Sequence, residues 1–175
     1  MKKFLMTIAA AFVAVSMSAQ VYVGGELGFA SVKGYTGDSE TTFRFLPEVG
    51  YSFNEEWGIG VMLGYVNGYN DLQGNSFNAN TAAKYFTLNP YARYTFFKSK
   101  LVSAFVDGGL DLNFPDEGDT FFGIGVKPGV ALNLTDNLSF VTHLGFVGYK
   151  AQGDANKVGI DFNGNALTFG MYYSF

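Results

Sequence analysis

From residue 21 to the end of the chain, large apolar side chains recur at every second position, and no stretch sustains a 3.6-residue period. The series runs Val21, Val23, Leu27, Phe29; Phe43, Phe45, Val49, Tyr51, Phe53; Trp57, Ile59, Val61, Leu63, Tyr65; Phe86, Leu88, Tyr94, Phe96; it continues through Val102, Val106, Leu110, Leu112 and Phe122, Ile124, Val126, Val130, Leu132. It ends with Leu138, Phe140, Leu144, Phe146 and Leu167, Phe169, Met171, Tyr173, Phe175. A two-residue period is that of a strand with unlike faces. The pattern predicts strands at 21–31, 41–53, 57–66, 85–97, 101–113, 121–134, 138–149 and 160–175. Their connections alternate in length. Asn54-Glu55-Glu56, Lys98-Ser99-Lys100 and Thr135-Asp136-Asn137 read as tight turns, whereas 32–40, 67–84, 114–120 and 150–159 are longer and polar. Short turns at one end and long loops at the other describe an up-and-down meander, as in barrels that cross an outer membrane.

The opposite parity carries small or polar groups, among them Gly24, Gly50, Gly58, Gly60, Gly64, Gly109, Gly123, Gly125, Gly129 and Gly145. It also carries Tyr22, Tyr91, Phe105 and Tyr172. A soluble ligand-binding barrel would have to enclose the apolar set, yet eight strands leave an interior barely wide enough for side chains. The glycine-rich face suits that interior and the aromatic face suits lipid. The predicted fold is therefore all-β, a closed eight-stranded antiparallel transmembrane barrel.

Even-numbered strands end alike: Pro47 to Phe53, Pro90 to Phe96, Pro128 to Leu134, and finally Phe169 to Phe175, each closing on a bulky-x-bulky pair. This places Tyr51, Phe53, Tyr94 and Phe96 at the turn end, with Trp57 beside them, where amphipathic rings favour a membrane interface. Pro47, Pro90 and Pro128 lie inside strands although proline cannot donate to a ladder. A bulge or a broken rung is expected at each.

The N-terminus differs from everything after it. Met1-Lys2-Lys3 precedes an apolar run of 12 residues, Phe4–Val15, and then Ser16-Met17-Ser18-Ala19. That is the pattern of a cleavable secretory signal, and the run falls short of the roughly 20 residues of a spanning helix. Residues 1–19 are expected to be the signal peptide and 20–175 the barrel. Loss of Lys2 and Lys3 leaves 9 basic against 15 acidic side chains, a net charge of −6, which argues against a nucleic-acid partner. The absence of Cys excludes disulfides, thiolate metal sites and a lipid-modified N-terminal cysteine. No cofactor is expected.

The last eight residues, Thr168-Phe-Gly170-Met-Tyr-Tyr173-Ser-Phe175, resemble the C-terminal signal read by the barrel-assembly machinery, with Thr168, Gly170, Tyr173 and Phe175 at its constrained positions. Residues 20–175 resemble the small OmpA/OmpX-type outer-membrane barrels, in particular short porin-like members that end where the barrel ends. No periplasmic peptidoglycan-binding domain of the OmpA kind is expected after the last strand. The resemblance implies a Gram-negative outer-membrane location with periplasmic termini, export through the Sec translocon, and contact with lipid and lipopolysaccharide. It implies no single activity.

Candidate chemistry concentrates on the inward parity, where Glu26, Arg44, Glu48, Arg93, Asp107, Asp111, Lys127 and His143 fall. Charges in a membrane-embedded protein persist by pairing, and four acids against three bases and a histidine suit mutual neutralisation. The expected role is a filled polar interior in a structural or surface-interaction, adhesion-like barrel. A low-conductance channel is the alternative. A lipid-modifying enzyme is least favoured, because the lone histidine has no Ser at the second position after it. The acidic run Asp116-Glu117-Gly118-Asp119 lacks calcium-loop spacing, and Gly58-Ile-Gly60 and Gly123-Ile-Gly125 are strand glycines with no helix following. Loops 32–40 and 67–84, the latter with five asparagines between Asn67 and Asn80, are the expected places for an unknown surface ligand.

Overall fold

The computed structural model describes residues 21–33, 39–67, 84–162 and 168–175. The expected signal segment, most of loop 67–84 and the tip of loop 32–40 lie outside them. Every element is a strand: β1 (Val21–Lys33), β2 (Ser39–Ser52), β3 (Trp57–Asn67), β4 (Lys84–Lys98), β5 (Val102–Pro115), β6 (Phe121–Asn133), β7 (Leu138–His143), β8 (Gly145–Gln152), β9 (Ala155–Phe162) and β10 (Thr168–Ser174). Each strand from β1 to β6 pairs antiparallel with the next, β6 pairs β7, β7 pairs β10, and β10 returns to β1. The ring therefore closes through eight strand positions. The seventh is shared by β7 and β8, and the eighth by β9 and β10.

The short turns are held by their own polar side chains. Asn54 Oδ1 accepts from the amides of Glu56 (2.9 Å) and Trp57 (2.8 Å). Ser99 Oγ both accepts from Val102 N and donates to Val102 O, and Thr135 Oγ1 accepts from Leu138 N at 3.0 Å. Such side-chain mimicry of a turn is what Asn, Ser and Thr supply. The second turn lies one residue later than expected, at 99–101. At the other end β8 and β9 run on to a two-residue turn at Gly153 (φ 54°) and Asp154, replacing the longer loop expected over 150–159.

Pro47, Pro90 and Pro128 sit at interrupted rungs, whereas Pro115 closes β5 opposite Tyr85. On β2, pairing with β3 skips from Phe45↔Tyr65 to Glu48↔Met62, passing Pro47. On β4, pairing with β5 skips from Leu88↔Leu112 to Tyr91↔Gly109, passing Pro90. Opposite Pro128 the partner strand carries an extra residue, since Gly129 faces His143 but Val126 faces Val147. Each of these three prolines keeps its partner on one side, Gly25, Val61 or Val106, and the missing N–H breaks the ladder only on the other. Leu144 N donates to Pro128 O at 2.9 Å within the bulge.

That bulge corrects the alternation. A single extra residue moves every later side chain to the other face, so Phe146, expected on the lipid face, lies inside, and Val147 and Tyr149 point outward. A second irregularity between Thr95 and Phe97 leaves both Phe96 and Phe97 exposed on the outer face. Otherwise Phe45, Ile59, Leu63, Phe86, Ile124, Phe169 and Met171 are exposed outward, while Leu46, Val66, Phe105 and Val141 are buried inside. Val21 is buried although its parity is that of the outer face.

Candidate functional site

The interior divides into a packed half near the short turns and an open half near the loops. Arg93 on β4 is the hub of the packed half. Its Nε and Nη2 each donate to one oxygen of Asp107 on β5, both at 2.7 Å, the two residues being direct cross-strand partners. Such a forked pair is the strongest geometry a guanidinium offers a carboxylate. Glu48 on β2 lies 3.9 Å from Nη2. Its two oxygens are met from either side, one by the Tyr91 hydroxyl and the other by the Tyr172 hydroxyl at 2.6 Å. Tyr22 donates in turn to Tyr91 at 2.6 Å. His143 Nε2 is 2.9 Å from the second oxygen of Asp107 and its ring meets Phe105 edge-on. Two buried carboxylates thus face one guanidinium, and hydroxyl and imidazole donors meet the remaining lone pairs, which is the condition for tolerating buried charge.

Four rings surround the guanidinium: Phe105 at 4.1 Å, Tyr91 at 5.2 Å, Tyr172 at 5.4 Å and Tyr22 at 5.6 Å from Cζ to the ring centres. A cation held against ring faces away from water gains electrostatically. Each ring lies on an inward glycine of a neighbouring strand. A Cβ at Gly24 would meet the Tyr172 ring, at Gly50 the Tyr22 ring, at Gly60 the Tyr91 ring and at Gly129 the Phe105 ring, all within 2.5 Å. Glycine is needed there because the ring fills the volume a side chain would take. Sequence reasoning did not assign these four aromatics to the site. Their signal was present, as bulky rings on an otherwise small-residue face.

Toward the loops the charges pair in twos. Arg44 and Glu26, cross-strand neighbours at Gly28↔Arg44 and Glu26↔Leu46 level, form an ion pair. Lys127 Nζ donates to Asp111 Oδ1 at 2.6 Å. Between the pairs is a cavity of about 230 Å³ whose lining includes both pairs with Thr87, Asn89, Phe146 and Lys150. The interior is therefore packed in one half and hollow in the other. Lys150 and Phe146 line the hollow with Lys150 Nζ 4.5 Å from the ring centre; Phe146 was expected on the lipid face because the Leu144 bulge reverses the local parity, and Lys150 was expected in the loop 150–159 that the strand instead runs through. Among the described residues no group of three or more His, Asp or Glu side chains is placed to hold a metal.

The architecture has known counterparts. The model of the outer membrane protein beta-barrel domain matches residues 4–175. The chain belongs to this family. Among solved structures the barrel is similar to Neisserial surface protein A (NspA), at 20% identity and a TM-score of 0.53, over 90% of this chain and 98% of that one. No curated protein resembles the chain in sequence. As a member of the outer-membrane barrel family, the protein turns its apolar face to lipid and its charged face to the interior.

The aromatic residues at the turn end form contacting pairs on the outer face of this family barrel: Tyr51 with Phe53 at 5.4 Å, Trp57 with Tyr94 at 4.8 Å and Tyr173 with Phe175 at 5.2 Å between ring centres. Phe96 is exposed on the same band. The last residues also form the seam of the ring. Phe175 N donates to Val21 O at 2.9 Å, and a Cβ on buried Gly170 would come within 3.1 Å of Gly25 O, so a larger residue would crowd the first strand. The side chain of Thr168 lies outside the described residues.

Proposed function

We propose that this protein is a non-conducting structural barrel of the outer membrane that presents its loops for surface contact. The observation that carries this reading is the Arg93 cluster, in which side chains from β1, β2, β4, β5, β7 and β10 meet across the lumen and leave Phe105 only 1% exposed. In this reading residues 1–19 are removed on export through the Sec translocon, and Thr168, Gly170, Tyr173 and Phe175 serve the assembly machinery. Both termini face the periplasm. The aromatic band lies at the periplasmic interface, and loops 32–40 and 67–84 face outward among lipopolysaccharide, where an adhesion-like contact belongs.

Planar-bilayer recording of the refolded mature chain tests the closure. The expected record is silent under symmetrical salt, with unitary currents appearing only in variants such as Arg93→Ala that open the cluster. Steady unitary currents from the unaltered protein would establish the channel in its place.

A further inference from the structure

The hollow half of the lumen is lined by side chains of every strand from β1 to β8 and floored by the Arg93 cluster through Glu48, Tyr91, Asp107 and His143. Its charges are already paired. Arg44 holds Glu26 on the β1–β2 wall, and Lys127 Nζ holds Asp111 Oδ1 at 2.6 Å on the β5–β6 wall. With Lys150 the interior has four bases against four carboxylates. The neutral polar groups between the pairs are not matched in this way. On β4, Thr87 Oγ1 donates to Asn89 Oδ1 at 2.7 Å, which leaves the amide nitrogen of Asn89 over. Asn113, the cross-strand partner of Thr87 on β5, has no hydrogen-bond partner among the described residues. Both amides line the cavity. Aromatic rings complete its wall. Phe146 lies over Gly125 and Gly148, where a Cβ would come within 2.8 Å of its Cζ atom, and Tyr85 meets Phe121 edge-on at 6.1 Å toward the loop end.

We infer that this cavity is a binding site for a single neutral sugar ring, taken either free or as the terminal residue of a glycan. Its chemistry selects that ligand. A ligand of either charge would unbalance a lumen whose bases and carboxylates match, and an unmatched charge in a membrane-embedded interior is costly. A hydroxyl both donates and accepts. Ring hydroxyls therefore suit the Asn89 and Asn113 amides, and they can add to the carboxylate and ammonium groups of the wall without parting the ion pairs. The C–H face of a sugar ring is apolar and lies flat on an aromatic ring, the surface that Phe146 offers beside those polar groups. Aromatic walls with a few placed polar groups are the usual make-up of a small-molecule site. The volume of about 230 Å³ is below the about 300 Å³ at which pockets for drug-sized ligands begin, which suits one ring rather than a chain of them. The walls lie on the loop side of the Arg93 cluster, so the site stands whether or not that cluster opens.

Nuclear magnetic resonance of the refolded chain in lauryldimethylamine oxide, a detergent without a sugar headgroup, tests this. Methyl glycosides of glucose, galactose and mannose are titrated separately. One or more of them is expected to shift the side-chain amides of Asn89 and Asn113 and the backbone amides of Phe146 and Lys150 saturably, while the turn-end signals of Ser99 and Asn137 stay in place. Added salt should not move the midpoint, since a neutral ligand has no charge to screen. Asn113→Leu keeps the size of the side chain, so the barrel should still assemble, as its heat-modifiable migration on a gel will report. Affinity should fall about 10-fold in that variant, through loss of one hydrogen-bonding group. Phe146→Leu should weaken binding as well, with assembly intact. The trisaccharide of the sugar that binds separates the two sources: equal affinity assigns the site to a glycan end, and lost affinity assigns it to the free sugar. No saturable shift with any of the glycosides, shifts undiminished in both variants, or saturable binding of inorganic phosphate or glycine betaine at the same amides would each overturn the proposal.

Discussion

At the scale of single residues, the interior depends on which side chain meets which, and Arg93 is the clearest case. Removing it strands Asp107 and Glu48 without their shared cation, a loss that typically costs about 3–5 kcal/mol when the partners stay buried. Arg93→Ala is expected to lower the urea midpoint of the refolded barrel accordingly. Asp107→Ala in the same background should recover part of the loss, because the two deletions share one interaction. Additive losses would mean that the pair does not couple. The alternation of the sequence is enough to put a charge on one face, but not to choose its partner. That choice comes from register: Arg93 faces Asp107 directly, whereas Glu48 reaches it from β2 across the lumen. The tyrosine donors to Glu48 were hidden for the same reason, since the glycines that seat their rings belong to other strands.

At the scale of elements, the strand count, the short turns and the lipid face were legible because each follows from a local pattern: period two, turn residues, and bulky groups on one parity. What was not local was the phase. Pro128 withholds a donor, the facing strand absorbs this with a bulge at Leu144, and the parity of 145–152 reverses. The recurring prolines marked the places of irregularity, though not which strand would yield. Because the chain has no Cys, single cysteines report the phase cleanly. Val147→Cys is expected to react with a lipophilic maleimide from the bilayer and to resist a charged, water-soluble thiosulfonate. Phe146→Cys should show the reverse preference through the cavity, by at least about 10-fold in rate, as the two side chains alternate across the sheet. Equal or inverted rates would restore the unbroken alternation.

At the scale of the whole molecule, the two halves of the barrel differ in how completely their described backbone is paired, and stability should follow that division. Near the turns every strand has a neighbour on each side, the Arg93 cluster ties six strands together, and the C-terminal residue bonds to Val21. Near the loops, among the described residues, β9 has β8 alone as its partner and β1 beyond Gly25 has β2 alone. In an edge strand successive N–H groups point alternately to the neighbour and away from it, so only every second amide sits in a ladder. Residue-resolved hydrogen exchange in detergent micelles should show this as a sawtooth along 155–162. Amides directed at β8 should exchange at least about 100-fold more slowly than those directed away, since an unpaired amide lacks the local opening energy that protects its neighbour. Along β4, with β3 on one side and β5 on the other, protection should be uniform apart from the interruption at Pro90 and the irregularity between Thr95 and Phe97. A uniformly protected β9 in detergent would mean instead that the barrel is zipped along its full height.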